Sequence, residues 1–182
     1  LQHIQNLYDQ GVKSVMVCGT TGEQHSLSLA EKLQLLESLD AASFLPDDLE
    51  ILFGVASIRQ KEALHLAEKV NASPIIRGVL LGFPPYILPS QKEAELYVEA
   101  IAKVIGKPII LYNNPRRTGF NLELDTFAEL IKLANIIGIK DAGDSARIPE
   151  LISAADKKIY VYAGGEIDLD KKIALGANRL SS

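Results

Sequence analysis

"NIIGIKDAGDS", residues 135–145, carries a run of β-branched apolar residues straight into a lysine. Ile136, Ile137 and Ile139 have the composition of a strand covered on both faces, because no polar residue alternates with them. The run ends in Lys140 and Asp141, so an ammonium group stands at the C-terminal end of a buried strand. Sheets that place strand ends at a binding site are the parallel sheets of α/β proteins.

The rest of the chain repeats this pattern. Apolar β-rich runs occur at 12–19, 50–56, 78–84, 108–113, 136–141 and 158–164, with a weaker one, "NRLSS", at 178–182. Amphipathic helical stretches are predicted at 28–42, 57–71, 90–105, 122–134, 146–155 and 166–175, and the opening "LQHIQNLYDQG" reads as part of a helix that stops at Gly11. Capping-box patterns, Ser28-x-x-Glu31, Ser57-x-x-Gln60 and Ser90-x-x-Glu93, mark three helix starts. Strictly alternating strands and helices with no low-complexity break predict one domain over 1–182, built on a parallel sheet. No Gly-x-Gly-x-x-Gly follows a strand, which counts against a dinucleotide fold. The strand count fits a (β/α)₈ TIM barrel. Such barrels take about 250 residues, so the 182-residue chain is expected to be an incomplete one, lacking the first strand and the C-terminal helices.

Composition narrows the function. With 47% apolar and 23% charged residues, the chain is of the ordinary globular kind, and a net charge of -4 disfavours nucleic acid and anionic membranes as partners. No apolar run approaches the roughly 20 residues of a membrane span. Cys18 stands alone, which points to a reducing, cytoplasmic compartment and to a core role for this residue. His3, His25 and His65 lack metal-ligand spacing, so no metal is expected.

Barrel strands alternate inward and outward. If Lys140 points in, Ile136 and Gly138 follow, Ile137 and Ile139 face the helices, and Gly138 leaves room beneath a bound ketone. A lysine titrates near 10.4 in water, and bringing it to about 7 takes about 4.6 kcal/mol of destabilisation of its charged form. A barrel mouth can supply that by burial, and the neutral amine can then form a Schiff base with a ketone. The plain alternative is a lysine paired with Asp141 or reaching to solvent. Tyr112 ends the strand "PIILYN" with the same inward parity as Ile110, where a phenol can carry protons; its alternative is a core aromatic. Thr20 and Thr21 follow a glycine in "GTTGE" (19–23), a turn whose hydroxyls and amides suit a carboxylate or simply close a strand onto a helix. Arg116 and Arg117 in "RRTG" can clamp a carboxylate or be solvated. Tyr86 in "FPPYILPS" is a rigid aromatic of the kind found at subunit interfaces.

Together, "GTTGE" (19–23), "YNNPRRTG" (112–119) and "GIKDAGD" (138–144), in this order on successive strand ends, resemble the dihydrodipicolinate synthase / N-acetylneuraminate lyase family of class I aldolases. The resemblance runs along essentially the whole chain. It implies a (β/α)₈ barrel, commonly tetrameric, that forms a Schiff base with pyruvate or a related 2-oxo acid and needs no cofactor. It implies Lys140 as the Schiff-base lysine, Tyr112 as proton donor and acceptor, Thr20 in the proton relay, and Tyr86 as the relay tyrosine that reaches across a dimer interface. It further implies substrate contacts at Thr21, Arg117, Gly164 and Ser181, the last through its backbone. Arg117 resembles the arginine that holds aspartate semialdehyde in the synthase branch, whose reaction, 4-hydroxy-tetrahydrodipicolinate synthesis, belongs to lysine and diaminopimelate biosynthesis. Pro85, Gln24 and Arg179 depart from the family pattern. The sugar-acid and N-acetylneuraminate aldolases of the same family, a phosphate-binding barrel built on "YAGGE" (162–166), and a non-catalytic barrel fragment are the competing functions.

Overall fold

The computed structural model describes residues 1–181, and among these every predicted strand forms. The strands are β1 (Ser14–Val17), β2 (Glu50–Val55), β3 (Ile76–Gly82), β4 (Ile109–Asn113), β5 (Ile136–Asp141), β6 (Tyr160–Gly164) and β7 (Arg179–Ser181). They lie in one sheet in sequence order, and every neighbouring pair is parallel. Helices α1 (Gln2–Asp9), α2 (Leu29–Asp40), α3 (Gln60–Ala72), α4 (Gln91–Ala102), α5 (Pro115–Thr118), α6 (Leu124–Leu130), α7 (Ile148–Ala154) and α8 (Leu169–Ala174) occupy the connections. Sequential order in an all-parallel sheet is the order of a barrel wall. Among the described residues no pairing joins β7 back to β1, so the wall is open.

Two apolar clusters flank the sheet. The larger holds Ile51, Phe53, Val79, Leu81, Ile109 and Leu111 against helix residues such as Leu66 and Val98. The smaller comprises Leu52, Leu80, Ile110 and Tyr112, with Met16, Ile137, Ala142 and Tyr162 packed on it. Period-2 alternation along each strand sends one residue to the helix side and the next to the inner side, which is how Tyr112 comes to share its face with Ile110.

The inner parity predicted for β5 is corrected at its start. Ile136 packs with the helix-side cluster and Ile137 with the inner one, the reverse of the expectation. The pairing shifts there: Ile109 stands opposite Ile136, but Ile110 stands opposite Gly138, so Ile137 is an extra residue. A bulge of this kind resets parity, and beyond it Ile139 faces the helices. Gly138 is also not beside open space. A Cβ there would lie 2.0 Å from the Tyr160 carbonyl oxygen, so the glycine admits the β6 backbone rather than a ketone.

Helix starts follow the predicted caps at two places. Ser28 and Ser90 accept from the amides of Glu31 and Glu93, and each glutamate accepts the serine's amide in return. The third is corrected. α3 begins at Gln60 after Arg59, with no side-chain cap. Ser57 instead accepts the Arg59 amide and donates to Glu62, a local turn that moves the helix cap two residues on, from Ser57 to Arg59. The "RRTG" segment forms the short α5, closed by Gly119 at φ 77°.

Candidate functional site

Lys140 lies near the C-terminal end of β5, between Tyr112 of β4 and Tyr162 of β6 in register. Its Nζ donates to Ser181 Oγ at 2.9 Å and stands 5.2 Å from the centre of the Tyr112 ring. Burial lowers its pKa below the ordinary lysine value, because desolvation penalises the ammonium form. The pairing with Asp141 considered from the sequence does not occur. Asp141 sits one residue further along β5 and turns to Arg147 (3.3 Å), to Asn113 Nδ2 and to the Gly143 amide. Burial raises the Asp141 pKa, while that amide, Arg147 and Asn113 pull it back. Arg147 is itself fixed, donating to Asn121 Oδ1 and the Leu122 carbonyl. Asp141 thus belongs to a network with partners of its own, and no ion pair joins Lys140 to a carboxylate among the described residues.

Tyr112 is buried. Its Oη accepts from Thr20 Oγ1 at 3.2 Å and from Asn114 Nδ2 at 2.7 Å. Thr20 follows β1 in a tight turn: the chain leaves the strand through Cys18 at φ 59°, and the amides of Glu23 and Gln24 return to the carbonyls of Thr20 and Gly19. Close approach makes this turn possible, since the Cys18 carbonyl oxygen stands 1.9 Å from where a Cβ on Gly54 would be. Cys18 is a buried core residue, its thiol pushed up to about 11 by burial. At the other side of the lysine, Ser181 pairs with Gly164 in the β6–β7 register and its carbonyl accepts the Gly165 amide.

The structure therefore brings together Lys140, Tyr112, Thr20, Gly164 and Ser181 across five strand ends. Ser181 reaches the lysine through its side chain. Three other predicted residues stand apart. Thr21 is exposed on the turn, Arg117 is exposed on α5, and Tyr86 is 90% exposed at φ 67° in the segment after β3. Asn114 was not singled out from the sequence, although it has the same parity as Tyr112 two residues earlier, and that parity would have found it. A cavity of about 410 Å³ lies outside this cluster, lined among others by His25, Lys32, Ser57, Arg59 and Glu62. Among the described residues no group of three or more His, Cys, Asp or Glu is placed to hold a metal ion, and no helix is long and apolar enough to cross a membrane.

Comparison with known proteins shows the family of the chain. The model of the dihydrodipicolinate synthetase family matches residues 1–182. A 4-hydroxy-tetrahydrodipicolinate synthase of Ligilactobacillus salivarius is 32% identical over 98% of this chain and 61% of its own length, and one of Nostoc punctiforme is 33% identical over 97% and 60%. The chain thus spans about three fifths of the length of these curated relatives. Among solved structures, the chloride-inhibited dihydrodipicolinate synthase of Acinetobacter baumannii complexed with pyruvate superposes with a TM-score of 0.87 at 32% identity, covering 98% of this chain and 61% of that one. A sialic acid aldolase of Ruminococcus gnavus, 22% identical, shares the fold with a TM-score of 0.89 over 97% of this chain and 58% of its own.

Proposed function

The chain belongs to the dihydrodipicolinate synthetase family, and from that premise we propose that it acts as a Schiff-base-forming lyase or synthase with Lys140 as its nucleophile. The observation that carries this is a half-buried lysine with no carboxylate partner among the described residues, 2.9 Å from Ser181 and beside a phenol already hydrogen-bonded to Thr20. Burial raises the fraction of neutral amine at a given pH. The amine lone pair attacks the carbonyl carbon of a 2-oxo acid, and the carbonyl oxygen takes a proton from Tyr112 to give a carbinolamine. The nitrogen gives up its proton, and a second proton delivered to the hydroxyl lets it leave as water. Amine, ketone and one proton thus become a protonated imine plus water, with Tyr112 and Thr20 passing the protons. The imine then serves as the electron sink, so no metal or organic cofactor is required.

The substrate proposed is pyruvate, condensed with aspartate semialdehyde as in the 4-hydroxy-tetrahydrodipicolinate synthases to which the chain is similar; a cytoplasmic place in lysine biosynthesis follows from that assignment. Gly164 and Thr21 would contact the pyruvate, and Arg117 would hold the acceptor's carboxylate. The exposure of Tyr86 suits a homo-oligomer, dimer or tetramer, in which a neighbouring subunit covers it. Arg117 supplies the test. Arg117→Ala should raise the KM for aspartate semialdehyde by roughly 30-fold or more, the loss of about 2 kcal/mol or more for a charged contact, and leave pyruvate binding near the parent's. Equal losses for both substrates, or turnover with a sugar acid and none with the semialdehyde, would contradict the synthase assignment.

A further inference from the structure

The hydrogen bonds around Tyr112 have a polarity that the sequence motifs do not carry. Asn114 follows β4 with φ −139° and ψ 78°, outside the helical region that a following proline disfavours. Its carbonyl accepts the amides of Arg117 and Thr118 and the Thr118 hydroxyl, which pins its backbone at the start of α5. Period-2 alternation then returns its side chain to the face of Tyr112, while Asn113 between them turns to Asn121 and Asp141. The result is the 2.7 Å contact from Asn114 Nδ2 to Tyr112 Oη, shorter than the 3.2 Å contact from Thr20.

We propose that Asn114 is a positioning residue for the proton carrier: with Thr20 it fills the acceptor side of Tyr112 Oη and leaves the phenol's own proton directed away from both, toward substrate in front of Lys140. A phenol oxygen has one proton to donate and accepts about two hydrogen bonds. A carboxamide N–H can only donate, so it fixes the direction in a way that a hydroxyl, which both donates and accepts, cannot. This inference rests on Tyr112 as proton carrier, as proposed above.

The experiment uses the full chain with pyruvate in D₂O and follows exchange of the pyruvate methyl hydrogens by NMR. In each exchange a C3–H bond of the imine breaks, its electron pair enters the C2–C3 bond, and the C2–N π pair moves onto nitrogen. The proton passes to the relay, and a deuteron returns by the reverse path. Borohydride trapping of the Lys140 adduct is measured in parallel. Two variants separate proton direction from backbone support. Asn114→Asp keeps the size and is a residue well suited to precede a helix, but its carboxylate accepts the phenol's proton instead of donating. Asn114→Val removes the donor and cannot cap. The expected exchange is slower by about 100-fold in Asn114→Asp and by about tenfold in Asn114→Val, with adduct formation at saturating pyruvate retained in both. The reverse order, with Asp near the parent and Val impaired, would assign Asn114 a purely structural role and overturn the inference while leaving the proposed function standing. Exchange equal to the parent in both variants would do the same. A parent that neither exchanges nor traps pyruvate would overturn the proposed function and this inference with it.

Discussion

At the scale of single residues, the proposed chemistry depends on what Lys140 and Tyr112 touch. Among the described residues Lys140 is neighboured by Tyr112, Tyr162 and Ser181 and pairs with no anion, and burial alone lowers its pKa. The folded chain therefore binds this proton less tightly than the unfolded chain does. Stability linked to the group rises with pH between the lowered folded value and the unfolded value near 10.5, and the penalty is full below the folded value, where both states are protonated. Lys140→Met should accordingly raise the thermal midpoint at pH 7, and the difference from the parent should shrink as pH approaches 10. A midpoint lowered at pH 7 would mean that the ammonium is stabilised in the fold. Tyr112→Phe removes the hydroxyl that Thr20 and Asn114 meet and should slow turnover by roughly 10²–10⁴-fold with the fold intact; turnover within a few-fold of the parent would take the phenol out of the mechanism. Lys140 and Tyr112 were legible in the sequence because they end apolar strands. Arg147, which holds Asp141 away from the lysine, was not, because its partner lies six residues back across a turn and no periodicity links them.

At the scale of elements, strand identity was legible and strand register was not. The seven apolar runs announced β1 to β7, yet the parity of Ile136 and Ile137 was inverted by a bulge that exists only in the pairing of β4 with β5. Local sequence does not encode its neighbour's register. Gly138 shows the consequence. Gly138→Ala would set a methyl group 2.0 Å from the Tyr160 carbonyl oxygen, and it should destabilise the fold by more than about 3 kcal/mol, read by urea unfolding. The helix starts teach a related lesson. Ser28 and Ser90 form reciprocal boxes, and Ser28→Ala or Ser90→Ala should each cost about 1 kcal/mol. Ser57 fits the same pattern on paper, but its hydroxyl is engaged by Arg59 and Glu62, so Ser57→Ala should not shift α3 capping at all. An equal cost at all three serines would contradict the observed cap geometry.

At the scale of the whole molecule, the parallel sheet in sequence order places the ends of β1, β4, β5, β6 and β7 at one rim, and the predicted chemistry gathers there. The barrel class followed from counting strands, and the family from three short motifs at strand ends. What the motifs could not reveal is which of their residues meet within one chain: Thr20, Tyr112, Lys140 and Ser181 do, whereas Tyr86 and Arg117 remain exposed. Both stand on segments that follow strand ends, Tyr86 after β3 and Arg117 on α5, and no side-chain hydrogen bond fixes either among the described residues, which is why motif and geometry part there. The central claim is that Lys140 forms an imine with a 2-oxo acid. Its most direct measurement treats the protein with pyruvate and borohydride, which reduces an imine to a stable amine, and maps the mass increment by peptide. The increment should fall on Lys140 alone and vanish in Lys140→Arg, whose guanidinium stays charged. An adduct on Lys13 or Lys107 instead, or none with any 2-oxo acid, would contradict the account.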